Sequence, residues 1–158
     1  MIFTFIGIYA NLQSEPSLQN GLRKGDRSMT TAVTIVKPAP SHLAVDHFAA
    51  EFSFETDCWD VHDSLSKGAD FVLLDVRGPA LYDKGHVPGA ISLPHGKMTV
   101  SKMAAWPEDT IFVTYCAGPH CNGAAKGALR LAQLGRPVKI MAGGITGWLD
   151  EGFELAVL

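Results

Sequence analysis

The chain has 158 residues, 47% of them apolar and 18% charged, with a net charge of −3. These values fit one globular domain with a sizeable core and exclude a disordered chain. No basic run or nucleic-acid-reading motif is present, which argues against nucleic-acid and anionic-membrane partners, and three irregularly spaced cysteines do not make a disulfide framework. Cysteines so placed fit a reducing compartment, and a cytoplasmic location is expected.

Met1 to Ala10 is apolar but far too short to span a bilayer, and no Lys or Arg precedes it as in a secretory signal. Residues 11–30 are polar and without periodicity. Residues 1–28 are therefore expected to be a disordered tail, or the product of a misplaced start with Met29 as the natural first residue. A membrane anchor or targeting peptide is the functional alternative. Residues 29–52 should form an extended segment plus a helix ahead of a domain over 53–158. Pro38 and Pro40 keep Val33 to Pro40 extended. Ser41 is the expected N-cap of a helix from His42 to Phe52, burying Leu43, His47, Phe48 and Ala50. Ser53 to Thr56 reads as a short strand. Asp57 should cap a helix over Cys58 to Lys67, with Val61 and Leu65 inward and Gly68 ending it.

Phe71 to Leu74 is apolar without alternation, which predicts a central parallel strand buried on both faces, ending at Asp75-Val76-Arg77. Pro79 to Lys84 is a short helix with proline at an allowed first position. The turn-rich Gly85 to Gly89 leads into a strand from Ala90 to Leu93. Thr99 should cap a helix to Trp106, stopped by Pro107. Ile111 to Tyr115 is a strand that ends at Cys116. After Ala117-Gly118-Pro119-His120-Cys121-Asn122 an Ala/Leu-rich helix runs from Gly123 to Leu134. Val138 to Met141 is the last strand. Gly143-Gly144 then turns into a helix from Ile145 to Glu151, with Trp148 and Leu149 inward. Strands alternating with helices predict an α/β fold, a parallel sheet with helices on both faces.

The thiol of Cys116 thus stands at the C-terminal tip of a strand, where open α/β sheets bind ligands. A helix N-terminus behind it offers unpaired N–H groups and a positive dipole end, a setting that favours the thiolate nucleophile. A cysteine phosphatase would need an arginine near the loop's end to grip phosphate, and none lies between Cys116 and Arg130. Gly118 to Gly123 has the glycine spacing of a phosphate loop, but Ala124-Ala125 stands where Lys-Ser/Thr would be needed. A zinc site from Cys116, His120 and Cys121 lacks a fourth ligand at a familiar spacing. No metal or cofactor is expected.

Four pieces in this order carry a resemblance. They are Asp75-Val76-Arg77, Gly85-His86-Val87-Pro88-Gly89-Ala90, the cysteine loop, and Gly143-Gly144 followed by Trp148. Together they resemble a single-domain rhodanese-like sulfurtransferase over about residues 53–154. The resemblance implies a five-stranded parallel sheet and an active-site cysteine that carries sulfane sulfur as a persulfide. It implies a small sulfur donor, thiosulfate or a persulfide or polysulfide, and a thiol or cyanide acceptor. The family's usual loop is cysteine, four residues, then arginine; here Cys121 holds the arginine's position and Asn122 follows.

Without a guanidinium, the anion would be held by N–H groups of Ala117, Gly118, Pro119, His120, Cys121 and Asn122, the stretch expected to curl round the Cys116 sulfur. Cys121 has three readings: a resolving thiol that attacks a Cys116 persulfide, a guard against over-oxidation, or a small apolar filler. Asp75 and Arg77 should pair with each other or with the loop backbone and hold its shape. His120 could ease proton movement or bind a donor anion, or simply face solvent. His86 is expected to be structural, and Cys58 a filler. Lys126 and Arg130 could add positive potential at the mouth or form a solvated helix face, and His95, Lys97 and Lys102 should lie on its rim. A non-catalytic regulatory module, or a redox sensor using Cys116 and Cys121, is the rival reading.

Overall fold

A computed structural model describes residues 30–157, so the expectations for residues 1–28 lie outside it. The chain divides into two units between Pro38 and Ala39. In the first, Thr34 and Ile35 donate main-chain bonds back to the Thr31 carbonyl (3.1 and 2.9 Å). Residues 33–36 are therefore turned, not extended as the sequence suggested; the prolines that enforce extension come only at 38 and 40.

The second unit is α1(Ser41–Phe54), β1(Glu55–Thr56), α2(Cys58–Lys67), β2(Phe71–Asp75), α3(Pro79–Lys84), β3(Ile91–Ser92), α4(Val100–Met103), β4(Ile111–Tyr115), α5(Gly123–Gln133), β5(Val138–Met141) and α6(Gly144–Asp150). All strand pairs are parallel, in the order β1-β5-β4-β2-β3, so β4 lies at the centre. The period-two alternation of the strands sends side chains to two cores. Leu73, Val113, Tyr115 and Met141 pack with Val61 and Trp148, from α2 and α6, on one face. Leu74, Phe112 and Val76 pack with Met103, Ala124 and Leu131, from α4 and α5, on the other.

Local chemistry sets several boundaries. The Asp57 carboxylate accepts from the Asp60 N–H (2.7 Å) and starts α2; Gly68, at φ +89°, ends it in a left-handed conformation that favours glycine. Thr99 caps α4 through the Lys102 N–H (3.2 Å), but the helix stops at Met103, short of Trp106. The strand expected over Ala90 to Leu93 is reduced to Ile91–Ser92 at the sheet edge.

Four expectations need correction. Pro40, not Ser41, is the N-cap of α1, and no side chain caps it. That helix continues to Phe54 and displaces the strand expected from Ser53. It buries none of its residues: Leu43, His47, Phe48 and Ala50 are exposed. It precedes a two-residue edge strand, and within its own unit no further layer covers it. Leu149 is also exposed (51%), while its neighbour Trp148 is buried (1%). Consecutive residues of a helix point about 100° apart, and with Trp148 turned fully inward Leu149 falls on the exposed side.

Candidate active site

Cys116 directly follows β4 and is buried, with 7% of its surface exposed. The loop after it runs over the N-terminus of α5. Asn122 is the N-cap residue there, but its side chain makes no cap bond, so the first N–H groups of α5 keep no side-chain partner. Ala117, Pro119, His120 and Asn122 are exposed, and Gly118 and Cys121 are partly buried.

The loop's shape is imposed by α6. The Cys116 carbonyl accepts from the Ile145 N–H (3.0 Å), and the Ala117 carbonyl accepts from the Thr146 N–H (2.9 Å) and hydroxyl (3.0 Å). Every peptide bond here is trans, which sets each N–H opposite its carbonyl. The N–H groups of Ala117 and Gly118 therefore point away from α6. Two glycines make the approach possible. Gly144 sits at φ +57°, and a Cβ there would run into the Cys116 carbonyl oxygen. A Cβ on Gly118 would lie 2.5 Å from the Thr146 hydroxyl. Thr146 was not singled out in the sequence. The signal was the Gly143-Gly144 turn, which starts a helix at the same sheet edge as the cysteine.

The structure joins Cys116 and Cys121 in a disulfide, with Cα atoms 6.2 Å apart. This corrects the filler reading of Cys121: the loop brings the two sulfurs together. Gly123 makes room for them, because a Cβ there would sit 2.6 Å from the Cys116 Sγ and 3.3 Å from the Cys121 Sγ. The expectation that N–H groups from 117 to 122 all converge on the sulfur is corrected at two positions. Pro119 has no N–H, and the Cys121 N–H closes the turn on the Gly118 carbonyl (2.9 Å).

The tip of β2 is built differently. Asp75 is fully buried and holds Arg77 through Nε–Oδ1 (3.0 Å) and Nη2–Oδ2 (2.6 Å). Arg77 also donates to the Gly85 carbonyl (2.7 Å), and the Tyr115 hydroxyl donates to Asp75 (2.8 Å) while accepting from the Val87 N–H (3.1 Å). Burial works against the Arg77 charge, but the Asp75 carboxylate outweighs it and raises the guanidinium pKa. Burial first, then the Asp75 charge, pushes the Tyr115 phenol well above its ordinary range. Asp75 and Arg77 thus pair with each other and with the 85–87 turn, not with the cysteine loop. His86 stacks on Tyr82 (3.7 Å between centroids), and its Nδ1 donates to the Tyr82 carbonyl (3.0 Å). It bridges Ala156 through two main-chain bonds, a structural part.

Lys97 and Lys102 line an open cleft of about 650 Å³ with Ser92 and Pro94, and His95, Lys126 and Arg130 line the adjoining one; Cys116 lines neither. Arg130 is held by the Met98 carbonyl (3.0 Å). Cys58 is a buried free thiol that donates to the Ala142 carbonyl (3.3 Å). Burial, helped by Asp57 and Glu151, pushes it up to about 11. Among the described residues, no three His, Cys, Asp or Glu groups gather to hold a metal ion.

The sequence pattern of the rhodanese-like domain matches residues 60–151, more than half of the chain. The chain belongs to the rhodanese-like family. It is 29% identical over 101 residues to a sulfurtransferase of Allochromatium vinosum, covering 64% of this chain and 92% of that protein. It is 34% identical over 93 residues to an HTH-type transcriptional regulator of Mycobacterium tuberculosis, covering 54% of this chain and 40% of the regulator. A crystal structure of a Bacillus halodurans protein superposes with a TM-score of 0.72 at 36% identity, over 75% of this chain and 87% of that one.

Proposed function

We propose that this protein is a sulfurtransferase that carries a sulfane sulfur as a persulfide on Cys116. The supporting observation is the placement of that sulfur. It stands at the tip of the central strand, over the uncapped N-terminus of α5, with the carbonyls of residues 116 and 117 tied back to α6. Main-chain dipoles so arranged favour a thiolate, and then a persulfide anion, without any cationic side chain in the loop. Residues 117–125 contain no Lys or Arg.

The reduced Cys116 thiolate attacks the outer sulfur of the donor. Sulfite leaves from thiosulfate, or a shorter thiolate from a persulfide or polysulfide. A thiolate acceptor, or cyanide, then attacks the terminal sulfur, and the Cys116 thiolate departs. Double-displacement kinetics follow. The chemistry calls for no metal or cofactor and suits a cytoplasmic thiol pool. No helix among the described residues is long and apolar enough to cross a membrane.

A donor-by-acceptor activity screen tests this. Turnover that disappears in Cys116→Ser supports the reading, and turnover unaffected by that change refutes it. The disulfide and the likeness to a regulator favour a second reading, a redox sensor or binding module. In that case oxidation would remove two hydrogens and no donor would add sulfur.

A further inference from the structure

The loop places a second nucleophile where a persulfide would form. Building on the Cys116 persulfide reading, we infer that Cys121 resolves that persulfide, so that the protein by itself reduces sulfane sulfur to sulfide.

Three observations carry this. First, the Cys116–Cys121 bond shows that the Cys121 sulfur reaches the inner sulfur of a Cys116 persulfide without rearranging the sheet. A Cα separation of 6.2 Å lies within the range that bridged cysteines span. Second, Gly123 leaves open the space beneath both sulfurs, and any side chain there would collide with the pair. Third, the two sulfurs differ in access. Cys116 is buried and Cys121 is partly exposed. A solvent thiol therefore meets Cys121 first, which sets the direction of recycling.

The step balances. The Cys121 thiolate attacks the Cys116 Sγ, forming the Sγ–Sγ bond and breaking the bond to the terminal sulfur. That sulfur takes the electron pair, picks up the proton released when the Cys121 thiol ionised, and leaves as hydrosulfide. The sulfane sulfur has been reduced, and the two cysteines have been oxidised to a disulfide. An external dithiol then attacks the accessible Cys121 sulfur and displaces Cys116 as its thiolate. The dithiol's second thiol frees Cys121, and the dithiol leaves as its own disulfide. An intramolecular thiol acts at an effective concentration in the millimolar range, so it outruns dilute external acceptors.

The test uses the full chain, reduced and desalted without oxygen, with an equimolar aryl thiosulfonate. Its leaving group is a sulfinate, so any sulfide comes from the resolving step. A sulfide electrode and intact mass are read together. The wild type is expected to release stoichiometric sulfide and end two hydrogens lighter than its reduced form. Cys121→Ser, and independently Cys121→Ala, should instead gain a sulfur and lose the sulfide burst. A wild type that keeps the added sulfur and releases no sulfide overturns this inference alone. Serine and alanine variants that gain no sulfur overturn the persulfide reading and this inference with it.

Discussion

The tips of β2 and β4 are neighbours in register, Asp75 beside Tyr115, yet they solve the problem of charge in opposite ways. At β2 a carboxylate and a guanidinium are buried together, bonded to each other, to the Tyr115 hydroxyl and to the Gly85 carbonyl. At β4 the loop has no charged side chain, and its shape comes from main-chain bonds to α6. A buried ion pair is rigid but spent, because its charges are already neutralised. A loop that leaves most of its N–H groups unpaired among the described residues keeps its polarity for an anion that arrives later. The first region holds the frame, and the second is free to do chemistry.

The contrast can be broken at its stiff side first. Asp75→Ala leaves the Arg77 guanidinium and the Tyr115 hydroxyl buried without their partner, and should cost about 3–5 kcal/mol in urea unfolding. A cost under about 1 kcal/mol would show that the pair is not part of the frame. Gly144→Ala acts on the other side. Its forced φ and the clash with the Cys116 carbonyl should cost about 1–3 kcal/mol and lower sulfur loading more than Asp75→Asn does. Thr146→Val removes the hydroxyl bond to Ala117 and should cost about 1 kcal/mol at most. The sharper reading is its loading rate, which should fall while unfolding barely moves. The smallest effect concerns Cys58. Its folded-state pKa is raised from 9.0 to about 11, so its contribution is intact below pH 9 and is lost as pH climbs from 9 to 11. The slope of stability against pH in that window should be shallower in Cys58→Ala than in the wild type.

How much of this could be read from the sequence depended on whether the cause was local. The unbroken apolar run Phe71 to Leu74 marked a buried parallel strand, because few other structures bury both faces of so short a segment, and the β-formers Ile111 to Tyr115 marked a second strand. Asp57 and Thr99 were legible as caps because a cap bond spans three residues. The cysteine loop was legible as strand, tight turn, helix. Contacts set by tertiary placement were not. Thr146 reaches Ala117 only because two separate crossovers return to one sheet edge. The Cys116–Cys121 bond was undecided because a spacing of five allows the sulfurs to meet or to diverge. The apolar residues of α1 suggested a buried side, but periodicity says nothing about whether a partner layer exists. Leu149 beside Trp148 shows the same limit within one helix.

The central claim is that the Cys116 sulfur accepts a sulfane sulfur. The most direct measurement is the intact mass of reduced Cys121→Ser after exposure to a polysulfide, with the modified residue located by peptide mapping. The account predicts a gain of one sulfur on Cys116, removed by a thiol and absent from the Cys116→Ser/Cys121→Ser double variant. An unchanged mass, or sulfur found on Cys58 instead, would contradict it.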